Sequence, residues 1–295
     1  MSIPFVKNLD FQYGIPQQVS PLVRRVIANN PGPFTYFGTG TYIIGQGNVA
    51  IIDPGPDDDA HLAAILAATI GETITHIFVT HPHIDHSPLS AKLSAATVAK
   101  IYGRSEKLGH KPIESNSEEG DDTGFRPDVE LEDNEIVQCH GFELEAIFTP
   151  GHTGNHVCFA LPAENALFSG DHIMGWSTSV IIPPDGDMSD YLDSLDKVLA
   201  RDFATIWPTH GPPITDPKPF VTAYKQHRIA RENQVIECLR GGTNKIIDMV
   251  PLLYAGVDKR LWPAAARSLH AHMIRLVKIG LVRGGDKPND DFHLI

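Results

Sequence analysis

The chain has 295 residues, which at roughly 100–200 residues per domain means one large domain, or a large one and a small one. A composition of 42% hydrophobic and 20% charged residues excludes an intrinsically disordered chain, and no apolar run approaches the roughly 18 residues that cross a bilayer. With 24 basic and 36 acidic residues the formal net charge is -12, which opposes tight non-specific binding to nucleic acid.

Residues 1–10 hold one lysine and no long apolar core, so no secretory leader is expected. Residues 35–45 and 48–53 are rich in β-branched and aromatic side chains and flank Gly45-Gln46-Gly47, which predicts a hairpin. Asp53-Pro54-Gly55-Pro56 stops its second strand. A helix is expected over 61–68, a buried strand over 75–80 ending on His81, and a helix over 87–100. This alternation argues for an α/β layered fold. Residues 105–133 are polar and acidic and read as an exposed loop or insertion. Strands resume at 143–149, 156–161 and 166–169, an amphipathic helix at 190–200, and a short strand at 205–208 that leads into His210. The proline-rich stretch 211–219 predicts a boundary, dividing the chain into 1–215 and 216–295. Helices over 220–239, 243–254 and 262–279, then a small hairpin from 281–285 and 292–295, make the second part a winged-helix-like module. The cysteines, Cys139, Cys158 and Cys238, are odd in number and lack CxxC spacing, so unpaired thiols in a reducing, cytoplasmic setting are expected.

The chemistry concentrates in His81-Pro82-His83-Ile84-Asp85-His86, directly after an apolar strand. In an extended turn His81 and His83 point the same way, and Asp85 and His86 can face a second, adjacent position. Nitrogen and oxygen donors of this kind suit zinc, and also iron, manganese or cobalt. His152, Asp171 and His210 each sit in a turn after an expected strand, at the sheet edge where ligands collect. Five histidines and two aspartates fit two ions with a position left open for water. His227, Arg228 and Arg231 fall on one helix, where the two arginines share a face and read either as an anion clamp or as a solvated surface. Trp176 and the loop to Asp187 read as a pocket wall or as ordinary packing. His76, His140, His156 and His172 read as structural. No GxxxxGK or GxGxxG phosphate loop is present.

The succession HxHxDH, GHT, GD and a late histidine before glycine resembles the metallo-β-lactamase superfamily over about residues 35–212. The resemblance implies a four-layer αββα sandwich with metals at one edge of the paired sheets. It implies that His81, His83 and His152 hold one metal, that Asp85, His86 and His210 hold the second, and that Asp171 bridges them. Asp53 would support the ligand loop without binding metal. The implied activity is that of a dinuclear hydrolase, with two divalent cations, zinc first and iron or manganese as alternatives, activating a shared water. Asp85 would also move a proton to the leaving group. Metal and activity would be lost below about pH 5–6, where histidine protonates. The helix around residues 224–234, with the arrangement at 170–195, is similar to the endoribonuclease branch typified by beta-lactamase-like protein two, which also carries a winged-helix-like module. The acidic stretch 118–122 and the net charge of -12 run against an RNA surface.

The expected substrate is therefore a small ester, thioester or lactone, with single-stranded RNA as the alternative. A β-lactam ranks below both, because no export signal is seen. A further alternative is a non-catalytic metal-sensing regulator that binds nucleic acid through the C-terminal module. That reading needs a basic face on the third helix, where Arg267, Arg275 and Lys278 are diluted by His270 and His272. Expected partners are a small molecule, with RNA or a second copy of the chain as further options, and no membrane.

Overall fold

The computed structural model describes residues 3–105, 120–285 and 287–295. The first sheet contains β1 (Gln17–Gln18), β2 (Val23–Ile27), β3 (Gly40–Gln46), β4 (Asn48–Ile52), β5 (Thr73–Phe78), β6 (Lys100–Gly103) and β7 (Val129–Glu130), in sequence order. Strands β1 to β4 pair antiparallel, and β4 to β7 pair parallel. The parallel connections carry α1 (Asp59–Ala68) and α2 (Leu89–Thr97). The second sheet, in order β12-β11-β10-β9-β8, contains β8 (Ile136–Cys139), β9 (Phe142–Phe148), β10 (Val157–Leu161), β11 (Ala166–Gly170) and β12 (Thr205–Pro208). Only the β11–β12 pair in it is parallel, and the crossover is α3 (Met188–Leu199).

Strand periodicity sorts the side chains into layers, since successive residues face opposite sides. Ala50 and Ile52 of β4 meet Phe159 of β10 and Phe168 of β11 between the sheets. Val49 and Ile51 turn the other way, onto Ile65 of α1 and Leu89 and Leu93 of α2. On the second sheet Cys158, Leu167 and Ile206 face Tyr191 and Leu195 of α3. The order of layers is αββα, as the resemblance implied. All of β10 is buried, which is why Val-Cys-Phe-Ala-Leu is a continuous apolar run and not an alternating one.

Three further helices follow, α4 (Pro217–Arg240), α5 (Ile246–Leu253) and α6 (Trp262–Lys278), then the two-stranded β13 (Val282–Arg283) and β14 (His293–Leu294). Helix α4 belongs to two cores. Phe220, Val221 and Tyr224 pack into the layer beneath the second sheet. Val235 and Leu239 pack with Met249, Leu269, Met273 and Phe292 in the C-terminal core. Lys278 at the end of α6 lies 3.7 Å from Asp187, the residue that caps α3.

The sequence reading differs from the structure in particular places. Strand β2 was not expected, because Arg24 and Arg25 interrupt its apolar pattern; Arg25 is nevertheless 3% exposed. The first hairpin strand begins at Gly40 and not at 35, since Tyr36 takes a left-handed conformation in a preceding turn. The helix expected over 87–100 stops at Thr97, where Val98 turns left-handed (φ 63°) and releases the chain into β6. The loop expected over 105–133 is only partly exposed: Asp121, Phe125 and Leu131 are buried and β7 lies within it. Its stretch 106–119 lies outside the described residues. The three cysteines are unpaired. Cys139 lies in the core between the sheets, Cys158 in the core under α3, and Cys238 packs on the C-terminal core.

Candidate metal centre

Every candidate ligand follows the carboxyl end of a strand. His81, His83, Asp85 and His86 occupy the β5–α2 loop, His152 the β9–β10 loop, Asp171 the residue after β11, and His210 the turn after β12. The structure brings all seven together, none more than 8% exposed. They form three interlocking groups with ligand atoms within 4.8 Å of one another: His81, His83 and His152; His81, His86 and Asp171; Asp85, His86 and His210.

Asp171 lies between the ends of this cluster. Its Oδ1 is 3.5 Å from His86 Nε2 and 3.4 Å from His210 Nε2, while its Oδ2 faces His152 Nε2 at 3.9 Å. His210 Nε2 is also 3.1 Å from Asp85 Oδ2. At the other end His83 Nδ1 is approached by His81 Nε2 at 3.0 Å and by His152 Nε2 at 3.2 Å. One nitrogen cannot be satisfied by both rings through a single shared proton. His86 Nε2, His210 Nε2 and Asp171 Oδ1 are buried without any hydrogen-bond partner. Such groups are costly to bury unpaired, so this donor set fits divalent cations.

The outer atoms of the rings are fixed by the chain. His152 Nδ1 donates to the Val180 carbonyl at 2.6 Å, and His210 Nδ1 to that of Gly38 at 3.2 Å, which turns each Nε2 lone pair inward. Asp53 lies outside the ligand groups and is fully buried at a left-handed φ of 48°. It accepts from Thr80 N and Oγ1 (each 2.8 Å), Thr209 Oγ1 (2.9 Å) and His86 Nδ1 (2.9 Å). One carboxylate thus ties the loop after β5 to the turn after β12.

Electrostatics divide the cluster. Burial, with His152 as neighbour, pushes His83 down to about 3, and burial with His86 and His83 holds His81 well below the usual histidine range. For His86, burial acts downward, but Asp85, Asp171 and Asp53 overcome it and hold the ring well above that range. His210 is raised in the same way, against burial, by Asp171 and Asp85. Burial acts upward on the carboxyls of Asp85 and Asp171, yet His86 and His210 hold both below the ordinary aspartate range.

His156 is a residue the sequence reading set aside. Its Nδ1 pairs with Thr149 Oγ1 at 2.8 Å and its Nε2 accepts the Asp171 backbone N–H at 3.3 Å. The signal was its place four residues after His152 in the same turn-and-strand segment, which spacing alone could not separate from core packing. His172 is fully buried edge-on to Tyr191 and outside the three ligand groups.

A narrow cleft of about 40 Å3 opens onto His83, Asp85, His152 and Asp171, with Phe34 and Trp176 in its wall. Trp176 stacks on Tyr36, ring centres 4.5 Å apart. His227, Arg228 and Arg231 line a neighbouring hollow instead. Arg228 is buried, donates to the Ser179 carbonyl and lies over the Tyr191 ring. Arg231 lies over Tyr254 and donates to the Leu253 carbonyl at 2.9 Å. Burial and the two arginines lower His227 to about 4.

An αββα sandwich with a histidine- and aspartate-lined centre at the carboxyl ends of its strands defines a class, the metal-dependent hydrolases built on paired sheets. Residues 35–210 match the metallo-beta-lactamase superfamily model, and residues 246–289 match that of the beta-lactamase associated winged helix domain. The chain is 32% identical over 281 residues to a beta-lactamase-like protein 2 homolog of Drosophila melanogaster, covering 92% of this chain and 93% of that one. It is 31% identical over 229 residues to the atrochrysone carboxyl ACP thioesterase AgnL7 of Paecilomyces divaricatus, covering 76% of this chain and 66% of the relative. A metallo-beta-lactamase family protein of Thermus thermophilus superposes with a TM-score of 0.77 at 21% identity, over 94% of this chain and all of that one. The chain belongs to the metallo-β-lactamase superfamily and is a metal-dependent hydrolase with a C-terminal winged-helix domain. No helix among the described residues is long and apolar enough to cross a membrane.

Proposed function

We propose that the protein hydrolyses thioesters, or esters and lactones of similar shape, with two divalent cations, zinc first and iron or manganese as alternatives. His81, His83 and His152 would hold one cation and Asp85, His86 and His210 the other. The observation that carries this reading is the position of Asp171, whose two oxygens face different histidines at opposite ends of the cluster. Cations held there supply Lewis acidity and activate water near neutral pH. The chain's own groups do the rest. Asp53 and the Val180 carbonyl fix His86 and His152 in the orientation that turns their Nε2 atoms into the cluster. Asp85 borders the cleft and is the group placed to carry a proton to the leaving atom. Trp176 and Phe34 wall off bulk water. A relative named as a thioesterase supports the substrate class. The same reading takes 1–215 as the catalytic part and 216–295 as the second part with α4 as their strut. It places the protein in a reducing, cytoplasmic compartment, which the unpaired cysteines support.

Elemental analysis of the loaded protein should give two ions per chain, and Asp171→Ala should lose one of them and all turnover of acetyl and longer thioesters. A labelled single-stranded RNA, with Asp85→Asn as control, is assayed beside them. Full turnover by Asp171→Ala with two ions bound, or cleavage of RNA alone, would sink the reading.

A further inference from the structure

His83 is turned the opposite way from the other ligand rings. His81, His86, His152 and His210 present Nε2 to the cluster, whereas His83 presents Nδ1. The outer atoms of the other rings are each met by the chain. Thr80 Oγ1 lies 3.0 Å from His81 Nδ1, and Asp53, Val180 and Gly38 meet Nδ1 of His86, His152 and His210. The outer atom of His83 is Nε2, and it faces Asp121 Oδ1 at 3.6 Å. That nitrogen is buried and has no hydrogen bond among the described residues. Both residues are 5% exposed. The carboxylate lies on the far side of the ring from Nδ1 and belongs to none of the three ligand groups.

The register of the chain brings the two side chains together. Residues 120–122 run antiparallel to the ligand loop. Ile84 N donates to the Gly120 carbonyl at 2.9 Å and Asp122 N to that of Pro82 at 2.6 Å, so Asp121 stands directly opposite His83. Directly opposed residues project to one face, which sets the carboxylate beside the imidazole. Asp122 accepts instead from Ser87 Oγ at 2.8 Å. Phe125 anchors the segment, buried in one core with Val79 and Leu89. A stretch whose acidity reads as a solvated surface thus delivers a buried carboxylate to a ligand ring.

We infer that Asp121 is a positioning residue for the first cation's site, as Asp53 is for the second. The inference rests on the metal-centre reading above. A neutral imidazole carries a single ring proton. With the Nδ1 lone pair given to a cation, that proton is on Nε2, the atom turned to Asp121. A small rotation of either side chain closes the gap to a charge-assisted hydrogen bond. The carboxylate then fixes the tautomer and the angle of the ring, and makes Nδ1 a better donor. Asp53 acts on His86, in the set with Asp85 and His210, and Asp121 on His83, in the set with His81 and His152. Each cation therefore has its own supporting carboxylate, and the two affinities are set separately.

Chelator competition with cobalt(II) tests this one cation at a time and reads affinity, not turnover. A His210→Ala background leaves only the His81, His83 and His152 set complete, and a His152→Ala background only the Asp85, His86 and His210 set, with Asp171 present in both. Asp121→Ala should weaken the cation roughly 10–100-fold in the first background and leave it unmoved in the second. Asp121→Asn, whose amide oxygen still accepts from Nε2, should recover most of the loss and keeps the test open if the alanine variant folds poorly. In the metal-free protein, nitrogen–proton correlation spectra should show the His83 ring protonated at Nε2. That proton should be sheltered from exchange in the wild type and in Asp121→Asn, and exposed in Asp121→Ala. Equal losses in both backgrounds, no loss in the first, or an asparagine variant no better than alanine would overturn the inference. Cobalt bound in the first background without dependence on residue 121 removes this inference alone. No cobalt bound in either background removes the metal-centre reading with it.

Discussion

Asp53 touches no candidate ligand group except His86, yet its four hydrogen bonds hold two loops in register. Replacing it by alanine leaves the Thr80 N–H, two hydroxyls and the His86 ring without their acceptor. Asp53→Ala should weaken metal binding roughly 10–100-fold, read by chelator competition, and cost about 3–5 kcal/mol in urea unfolding. His61 makes a different prediction. It is buried in α1 with Nε2 2.8 Å from Thr41 Oγ1, and burial lowers it from 6.5 to about 4. The folded state therefore prefers the neutral ring. Its contribution, about 3 kcal/mol at most, is fully present above pH 6.5 and is lost as the pH falls to 4. In the metal-free protein, the stability of His61→Gln should fall less steeply than that of the wild type across that interval. Parallel acid limbs in urea titrations would contradict this.

Elements explain what was legible and what was not. The strand ends that carry His81, His152, Asp171 and His210 could be read because apolar runs stop abruptly on these polar residues. The seven candidate ligands converge because two sheets present their carboxyl ends to one edge, and that pairing has no signature in any single segment. Gly151 illustrates the gap. At a φ of 138° a Cβ there would lie 2.4 Å from the Tyr191 Cα, so the glycine lets α3 pass beside the His152 turn. The sequence shows the glycine but not the helix against it. Strands β2, β6 and β7 went unread because charged residues or short length hid their period. The arginines of α4 read as a pair on one face, whereas tertiary packing gives each its own carbonyl and ring. Helix α4 also fixes the cleft wall. Tyr224 Oη donates to the Ser177 carbonyl at 2.7 Å and accepts the N–H groups of Ser179 at 2.8 Å and Met174 at 3.3 Å. Tyr224→Phe should cost about 1–3 kcal/mol and raise KM more than it lowers kcat, because the Ser177–Val180 wall loosens while the candidate ligands stay in place. A fall in kcat alone would argue against that role.

For the whole molecule, the division of α4 between two cores has an energetic consequence. Unfolding the C-terminal core strips Val235 and Leu239 from the same helix whose first turns hold Phe220 and Tyr224 under the second sheet. The Lys278–Asp187 pair adds a second tie, but a half-exposed one of little weight. Helical continuity should therefore couple the parts, and calorimetry of the metal-free protein should show one transition whose van't Hoff and calorimetric enthalpies agree. Two resolved transitions would mean that α4 frays at its middle, near residues 229–234, and that the C-terminal core can open without disturbing the metal centre.

The three cysteines give that question a clock. Burial pushes the thiols of Cys139 and Cys158 up to about 12 and raises Cys238 as well. A protonated, enclosed sulfur is nearly inert to alkylation until its surroundings open. Cys238, against the winged-helix core, is only half-buried and sets the baseline, whereas Cys139 between the sheets and Cys158 under α3 are enclosed, so the order in which those two are labelled records the order in which the layers come apart.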